Sequence, residues 1–164
     1  MIVVSDTTPV ISLMKAGQLE LLRQLFEAVY IPEAVYRELT DNEAFSEEVR
    51  MVQECEFLYM QKVDNGKSVA ILQNFTGLDA GESEAIILAD EMNSDVLLMD
   101  ERKGRQVAKK LGIRITGTIG ILTQAFDEGI LTKEDVERCI ERLKESGIRI
   151  SEKLYQRLNM EIGK

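Results

Sequence analysis

Short apolar runs that alternate with helical patterns constrain the fold of this chain more than any other feature. Ile2-Val3-Val4 and Val96-Leu97-Leu98-Met99 have the length and composition of buried strands. The segments between such runs carry apolar residues at helical spacing. Strands that alternate with helices favour a parallel sheet covered on both faces and joined by right-handed crossovers. The chain is therefore predicted to be an α/β protein, and its 164 residues suit one domain.

The individual elements follow from these patterns and from the residues that start or end helices. Strands are predicted over residues 2–4, 28–31, 57–63, 96–99 and 113–115. Two short helices are expected between the first two strands, with a break at Ala16-Gly17. Further helices are predicted over residues 32–39, 46–53, 80–92, 102–111, 119–128, 133–146 and 152–159. Pro32 suits the first position of its helix, and Thr132 and Ser151 suit N-caps.

The sequence contains no histidine, and this absence limits the chemistry that the chain can perform. It excludes serine–histidine and cysteine–histidine catalysis, histidine-ligated zinc and imidazole acid–base catalysis. Cys55 and Cys139 lie far apart and form no Cys-x-x-Cys pair, so buried free thiols are predicted instead of a zinc site or disulfides. Any hydrolytic reaction would depend on carboxylates, lysine or a hard metal ion.

The charge balance argues against a nucleic-acid partner unless positive charge is concentrated in one part of the chain. The chain has 29 acidic and 20 basic residues, and its net charge of −9 gives no general attraction for a polyanion. Acidic residues gathered at a metal site would be neutralised by the bound cation. One basic stretch contains Arg102, Lys103, Arg105, Lys109 and Lys110. It is either a nucleic-acid contact or the solvated face of a helix.

No segment of the sequence is typical of a membrane span or a secretory signal. No apolar run approaches the roughly 20 residues that cross a bilayer. The first residues, Met1 to Asp6, lack a basic segment and a cleavage site, and they lead directly into the first predicted strand. The expectation is a cytoplasmic protein without a membrane partner.

Two aspartates, Asp6 and Asp100, each follow an apolar run at the carboxyl end of a predicted strand. Open parallel sheets bind ligands beyond these ends, near the point where the strand order switches. Adjacent strands lie about 4.8 Å apart, so carboxylates at their ends can share a cation. Magnesium and manganese prefer hard oxygen ligands, so such a site needs no histidine. Alternatively, either aspartate could simply cap the helix that follows it.

Two glutamates are weaker candidates on their own. Glu38 lies near the C-terminal end of a predicted helix, where an exposed glutamate is common. Glu82 stands third in a helix that Asp79 would cap, so the two residues could form a capping box.

Several segments resemble the PIN-domain family, and three of them match its signature in order and spacing. These are Val3-Val4-Ser5-Asp6-Thr7, Ile31-Pro32-Glu33-Ala34-Val35-Tyr36-Arg37-Glu38-Leu39 and Leu97-Leu98-Met99-Asp100-Glu101-Arg102. Three more segments resemble a prokaryotic subgroup of predicted nucleic-acid-binding PIN proteins. They are Gly81-Glu82-Ser83-Glu84-Ala85-Ile86, Thr116-Gly117-Thr118-Ile119-Gly120-Ile121-Leu122 and the tail segment Gly147-Ile148-Arg149-Ile150-Ser151. The match suggests a PIN-like catalytic core over residues 1–125 and a C-terminal helical extension over residues 126–164, packed on the same domain.

The resemblance implies a three-layer α/β/α sandwich and a site that binds Mg²⁺ or Mn²⁺. The family's catalytic and metal-binding acids match Asp6, Glu38, Glu82 and Asp100 in this sequence. Thr7 matches the family's hydroxyl beside the first acid. For Glu38 and Glu82, this resemblance is the main support for a role in the site.

The third and the last acidic positions depart from the family pattern. Where the family commonly has aspartate, this chain offers Glu82 or Glu84, which point to different faces of a helix. Glu82 is preferred because the following helix then aligns better. The Thr116-Gly117-Thr118 segment lacks the further acid that some relatives carry, so the sequence leaves open whether one or two metal ions bind.

The function implied by the resemblance is a metal-dependent nuclease, in particular a ribonuclease that hydrolyses phosphodiester bonds with metal-activated water. Some members are the toxins of toxin–antitoxin pairs. The expected partners are single-stranded or structured RNA, with DNA as a second option, a cognate antitoxin, and a second copy in a homodimer. The apolar stripes of the terminal helices could instead pack on the domain's own core.

A non-catalytic nucleic-acid or protein interaction module with the same fold is the main alternative to the nuclease. A phosphoacceptor receiver domain requires paired acids after the first strand, where only Asp6 stands. A haloacid-dehalogenase-like phosphatase requires a second aspartate where Thr8 stands, and no phosphate-binding loop or dinucleotide fingerprint is present.

Overall fold

The structure, a computed structural model, describes residues 1–163 as one parallel sheet between layers of helices. The strands are β1 (Val3–Ser5), β2 (Val29–Ile31), β3 (Leu58–Met60), β4 (Val96–Leu98) and β5 (Ile115–Thr116). The helices are α1 (Thr7–Lys15), α2 (Leu21–Phe26), α3 (Glu33–Thr40), α4 (Ser46–Glu54), α5 (Gly66–Thr76), α6 (Ala80–Glu91), α7 (Arg102–Lys110), α8 (Thr118–Asp127), α9 (Lys133–Glu145) and α10 (Glu152–Ile162), with a 3-10 helix at Glu43–Phe45.

The strand order is β3-β2-β1-β4-β5, with every pairing parallel. The chain adds β2 and β3 on one side of β1 and then returns to add β4 and β5 on the other side. The order therefore reverses between β1 and β4, which is where open α/β sheets bind ligands. The register pairs Ser5 with Leu98 and Leu98 with Thr116, so the carboxyl ends of these three strands lie level with one another.

Alternate residues of the central strands point to opposite faces of the sheet. Val3 and Leu98 belong to a core that includes residues of α1, α2, α8 and α9, whereas Val4 and Leu97 belong to a second core with α6 and α7. Complete burial of each such side chain contributes about 1.5–3 kcal/mol. Burial between two helical layers explains how strands of two or three residues are stable. The predicted three-layer α/β/α fold is confirmed.

The terminal helices complete the first of these two cores. Val136 and Leu143 of α9 are buried there, as are Leu158 and Ile162 of α10. These residues belong to the same cluster as Leu13 of α1. The apolar stripes of the terminal helices thus pack on the chain's own core, which is one of the two arrangements that the sequence left open.

Most predicted elements are present, with small shifts at their ends. Pro32 is the N-cap of α3 instead of its first residue. The last strand starts later than predicted because the Ile113 amide donates to the Ala108 carbonyl at 3.0 Å and so belongs to the turn after α7. No helix among residues 1–163 is long and apolar enough to span a membrane.

The largest difference is α5, which was not predicted from the sequence. The predicted strand over residues 57–63 is shorter in the structure, and Asn65 then caps a new helix by accepting from the Ser68 amide at 3.1 Å. Val69 is the only fully buried apolar residue of α5, so the apolar pattern in this segment is weak. Both cysteines are free, with Cys139 buried and Cys55 half-buried.

Candidate active site

Asp6 and Asp100 lie beyond the carboxyl ends of the adjacent strands β1 and β4. The Asp6 amide donates to the Leu98 carbonyl at 2.9 Å, and the Met99 amide donates to the Thr116 carbonyl at 2.9 Å. These hydrogen bonds continue the parallel ladder one residue past each strand. The two aspartates therefore occupy the edge of the sheet where the strand order switches, as the sequence predicted.

Asp6 is the most deeply buried acid of this edge, with 4% of its surface exposed. It stands at the N-cap position of α1, but its side chain makes no capping hydrogen bond. The pKa of Asp6 is raised from 3.8 to about 7, mainly by burial and also by the charges of Glu82, Asp79 and Glu38, while the hydrogen bond from the Thr7 amide lowers it. Simple capping therefore does not account for this residue.

Glu38 is held between α1 and α6. The Thr7 hydroxyl donates to Glu38 Oε2 at 2.7 Å. Glu38 Oε1 rests on the first turn of α6, where a Cβ on Gly81 would lie 2.5 Å from it. The positive end of a helix dipole favours a carboxylate in this place. Burial raises the pKa of Glu38, the Thr7 hydrogen bond lowers it, and the Asp79 charge raises it.

Glu82 and Asp79 form the capping box of α6. Asp79 Oδ1 accepts from the Glu82 amide at 2.8 Å, and Glu82 Oε2 accepts from the Asp79 amide at 3.1 Å. Burial raises the pKa of Glu82, as do the charges of Asp79, Glu101 and Glu38, while the hydrogen bond from the Asp79 backbone lowers it. Glu82 thus completes the cap, as one of the two suggested roles requires, and it also lies close to other acids. Its catalytic and metal-binding role stays a prediction.

Glu84, the other candidate for the third acidic position, points elsewhere. Its Oε1 accepts from the Ala34 amide at 3.3 Å, in the first turn of α3. Glu82, in contrast, is close enough to Asp6 to raise the pKa of Asp6. The geometry therefore favours Glu82 over Glu84 as a neighbour of Asp6, and its role as the third acid stays a prediction.

Asp100 does not cap the helix that follows it. Glu101 has that role, because its Oε2 accepts from the Gly104 amide at 2.7 Å. Asp100 faces the N-terminus of α8: its Oδ1 accepts from the Thr118 amide at 2.7 Å and its Oδ2 accepts from the Thr118 hydroxyl at 2.6 Å. Thr118 therefore fixes the orientation of this carboxylate.

Arg105 is a basic neighbour of Asp100 that the sequence did not single out for the site. Its Nη1 donates to the Met99 carbonyl at 3.0 Å. A Cβ on Gly117 would lie 2.5 Å from Asp100 Oδ1 and 2.8 Å from Arg105 Nη1, so both side chains lie against this glycine. Asp79, Thr118 and Arg105 were not named as site residues because their proximity depends on how α6, α7 and α8 meet at the sheet edge.

The acids are near one another, but they do not form a complete metal-binding site as they stand. Within residues 1–163, no three His, Cys, Asp or Glu side chains are grouped closely enough to hold an ion as they stand. Protein donors already occupy oxygens of Glu38, Glu82 and Asp100. A bound cation would have to compete with some of these hydrogen bonds. The set of donors nevertheless suits a hard cation, because every one of them is a carboxylate oxygen.

The fold and this acidic edge define a class of parallel α/β proteins with carboxylates at the strand switch point. Within that class, the chain belongs to the PIN-domain family: the family model described as a PIN domain matches residues 2–164. No curated protein matches the sequence significantly. PIN domains have a nuclease-type fold, generally interact with nucleic acid and typically use divalent metal ions.

The raised pKa of Asp6 predicts a pH-dependent stability for the metal-free protein. Between pH 4 and 7 the native state binds more protons than the unfolded state, so stability falls as pH rises through this window. The expected loss is on the order of 4 kcal/mol at most. Urea unfolding in EDTA at pH 5 and pH 8 measures the part of this loss that falls above pH 5, which is about 3 kcal/mol. Asp6→Asn should flatten the dependence, and an equal pH slope in both proteins would contradict the assignment.

Gly81→Ala tests the contact between Glu38 and α6. Alanine in a helix is favoured over glycine by roughly 0.5–1 kcal/mol. The new Cβ would displace Glu38 from Thr7, and a hydrogen bond to a charged group contributes roughly 1.5–3 kcal/mol. A net destabilisation of about 1 kcal/mol is expected in urea unfolding.

Gly66→Ala is the matched control for this substitution. Gly66 also lies in the first turn of a helix, and a Cβ there meets nothing within 4 Å. This variant should be as stable as the parent or slightly more so. Equal stabilisation by both substitutions would show that the close approach of Glu38 to Gly81 has no energetic consequence.

Proposed function

We propose that this chain is a divalent-metal-dependent nuclease, specifically a ribonuclease that hydrolyses phosphodiester bonds with metal-activated water. The observation that carries the proposal is the buried carboxylate of Asp6, which has acidic neighbours in Glu38, Asp79 and Glu82. Among residues 1–163, no lysine or arginine is paired with Asp6. A bound cation would supply the missing positive charge.

Asp6, Glu38, Glu82 and Asp100 would hold the ion, and Mg²⁺ or Mn²⁺ suits a donor set made of carboxylate oxygens. At neutral pH Asp6 is near its protonation midpoint, so a divalent cation would favour its charged form. Such an ion, when bound, lowers the pKa of a coordinated water and offsets the charge that develops on the phosphoryl group.

The protein residues around the acids orient them for this task. Thr7 holds Glu38, and Thr118 holds both oxygens of Asp100. Gly81 allows Glu38 to approach the first turn of α6. Hydrogen-bonded partners of this kind fix the direction of ligand side chains and tune their basicity. To surround a cation, these acids would have to exchange some of their present hydrogen bonds for contacts with the ion.

A non-catalytic interaction module remains the second candidate. One observation favours it: the acids of the described chain, residues 1–163, are not grouped into a metal site as they stand. This candidate predicts nucleic-acid or protein binding that is independent of divalent metal. The cleavage assay below separates the two functions, because only the nuclease requires Asp6 and a cation.

The finer biological role is also a proposal. The family to which the motifs assign the chain includes toxins of toxin–antitoxin pairs, and this membership supports a place in such a pair with an antitoxin partner. A homodimer rests on the same resemblance. An adjacent reading frame for an antitoxin-like protein would support the toxin role, and its absence would favour a nuclease that acts without a dedicated inhibitor.

Asp6→Asn and Asp100→Asn test the proposed reaction. If the two aspartates act on one cation, each variant should lower kcat by at least roughly 10², and the double variant should be little worse than either single one. Cleavage of a labelled single-stranded RNA with Mn²⁺ measures this. Asparagine keeps an acceptor for the Thr118 amide, so the Asp100 variant should fold. Full activity in folded Asp6→Asn protein would refute the mechanism.

Glu82→Gln and Glu84→Gln form a matched pair for the third acidic position. Glu82 lies beside Asp6, whereas Glu84 reaches the first turn of α3. Glu82→Gln should therefore reduce the rise in melting temperature that millimolar Mn²⁺ causes, because binding to the native state stabilises it. Glu84→Gln should leave that rise close to the parent's. The reverse ranking would assign the third position to Glu84.

A further inference from the structure

Helix α7 carries a cationic face that the proposed reaction does not use. The five basic residues are Arg102, Lys103, Arg105, Lys109 and Lys110, all exposed except the half-buried Arg105. They span about 12 Å at the rise of an α-helix. Among the side chains that the structure describes, which exclude those of Glu43 and Lys164, no carboxylate forms an ion pair with any of them. In a chain with a net charge of −9, this local excess of positive charge requires an explanation.

Six basic side chains elsewhere in the described part of the chain do have acidic partners. Lys15 pairs with Glu48 at 2.6 Å, and Arg37 pairs with Glu33 on the same helix. The five residues of α7 form no such ion pair, although the Arg105 guanidinium lies near Asp100 at the start of the helix. A cationic surface of this kind is available to an anionic partner.

The cationic face of α7 begins beside the acidic edge of the sheet. The helix starts directly after Asp100 and Glu101, and the Arg105 guanidinium lies with Asp100 against Gly117. From there the face extends along α7 to Lys109 and Lys110 in the last turn. A polyanion bound along this face would therefore extend directly to the acids.

We propose that the cationic face of α7 binds the sugar–phosphate backbone of a single-stranded polynucleotide and directs it to the acidic edge. This inference rests on the proposed nuclease function and assigns its substrate path. Regularly spaced phosphates match a line of basic side chains about 12 Å long. A single strand is favoured over a duplex because a flexible strand can follow one narrow face. A rigid duplex would also bring its phosphates against the acidic remainder of the surface.

Salt-dependent binding of a labelled 20-nucleotide single-stranded RNA tests the path. Binding is measured in EDTA, so that no metal-dependent cleavage occurs and the result is independent of the metal site. Each phosphate contact with a single strand contributes about 0.7 to the slope of log affinity against log salt. Lys109→Gln/Lys110→Gln should weaken binding and reduce the magnitude of this slope by about 1.4.

Lys133→Gln/Lys153→Gln is the matched control. Both lysines are exposed and lie on α9 and α10, which pack on the opposite face of the sheet, and the change in net charge is the same. This variant should bind RNA as the parent does. Equal losses in the two double variants, or no loss in the α7 variant, would overturn the path even if Mn²⁺-dependent cleavage is found.

An acidic peptide is the competing occupant of this face. Poly-glutamate of the same length as the RNA is therefore added as a competitor in the same assay. We expect the RNA to remain bound when the peptide is present at an equal concentration of charges. Displacement of the RNA by the peptide at that concentration would identify a general docking surface for acidic proteins and would overturn the assignment to a polynucleotide.

Discussion

Parallel pairing between β1 and β4 is the contact on which the arrangement of the acidic edge depends. The register joins Ser5 to Leu98, and the ladder continues through the hydrogen bond from the Asp6 amide to the Leu98 carbonyl at 2.9 Å. Because the strands are parallel, the residues that follow them emerge at the same edge. The reversal of strand order between β1 and β4 leaves that edge free of a crossover, so Asp6 and Asp100 can face a ligand.

Helix N-termini support the acids, but they do not balance the cost of burying them. Asp6 precedes α1, Glu38 rests on α6 and Asp100 faces α8. A helix N-terminus typically stabilises a nearby negative charge by about 0.3–1 kcal/mol. The pKa of Asp6, raised to about 7, corresponds to a cost on the order of 4 kcal/mol for its charged form. The difference is the stabilisation that the proposed cation would have to supply.

The sequence predicted the fold well because its strongest signals are local. Buried runs such as Val96–Leu98 mark strands, and the capping box of Thr132 and Asp135 starts α9 where it was expected. Helix α5 was missed because its stability depends on packing against α6 and not on a clear apolar pattern of its own. The last strand was misplaced because Ile113 is used to close α7.

Only part of the candidate site could be predicted from the sequence. Asp6 and Asp100 were predicted from their places after strands, whereas the prediction of Glu38 and Glu82 rested mainly on the family resemblance. Sequence also could not foresee that Thr118 would engage both oxygens of Asp100, because that contact depends on how β5 leads into α8. The same is true of Asp79, whose charge raises the pKa of Asp6, Glu38 and Glu82 although its capping role was evident.

A crystal structure of the protein with Mn²⁺, measured with anomalous scattering, tests the central claim most directly. We expect an anomalous peak beyond the carboxyl ends of β1 and β4, within coordination distance of oxygens of both Asp6 and Asp100. Glu38 or Glu82 should turn from its present hydrogen-bond partner towards the ion. A fully occupied Mn²⁺ elsewhere on the surface, with Asp6 and Asp100 unchanged, would contradict the claim that this acidic edge is a metal centre.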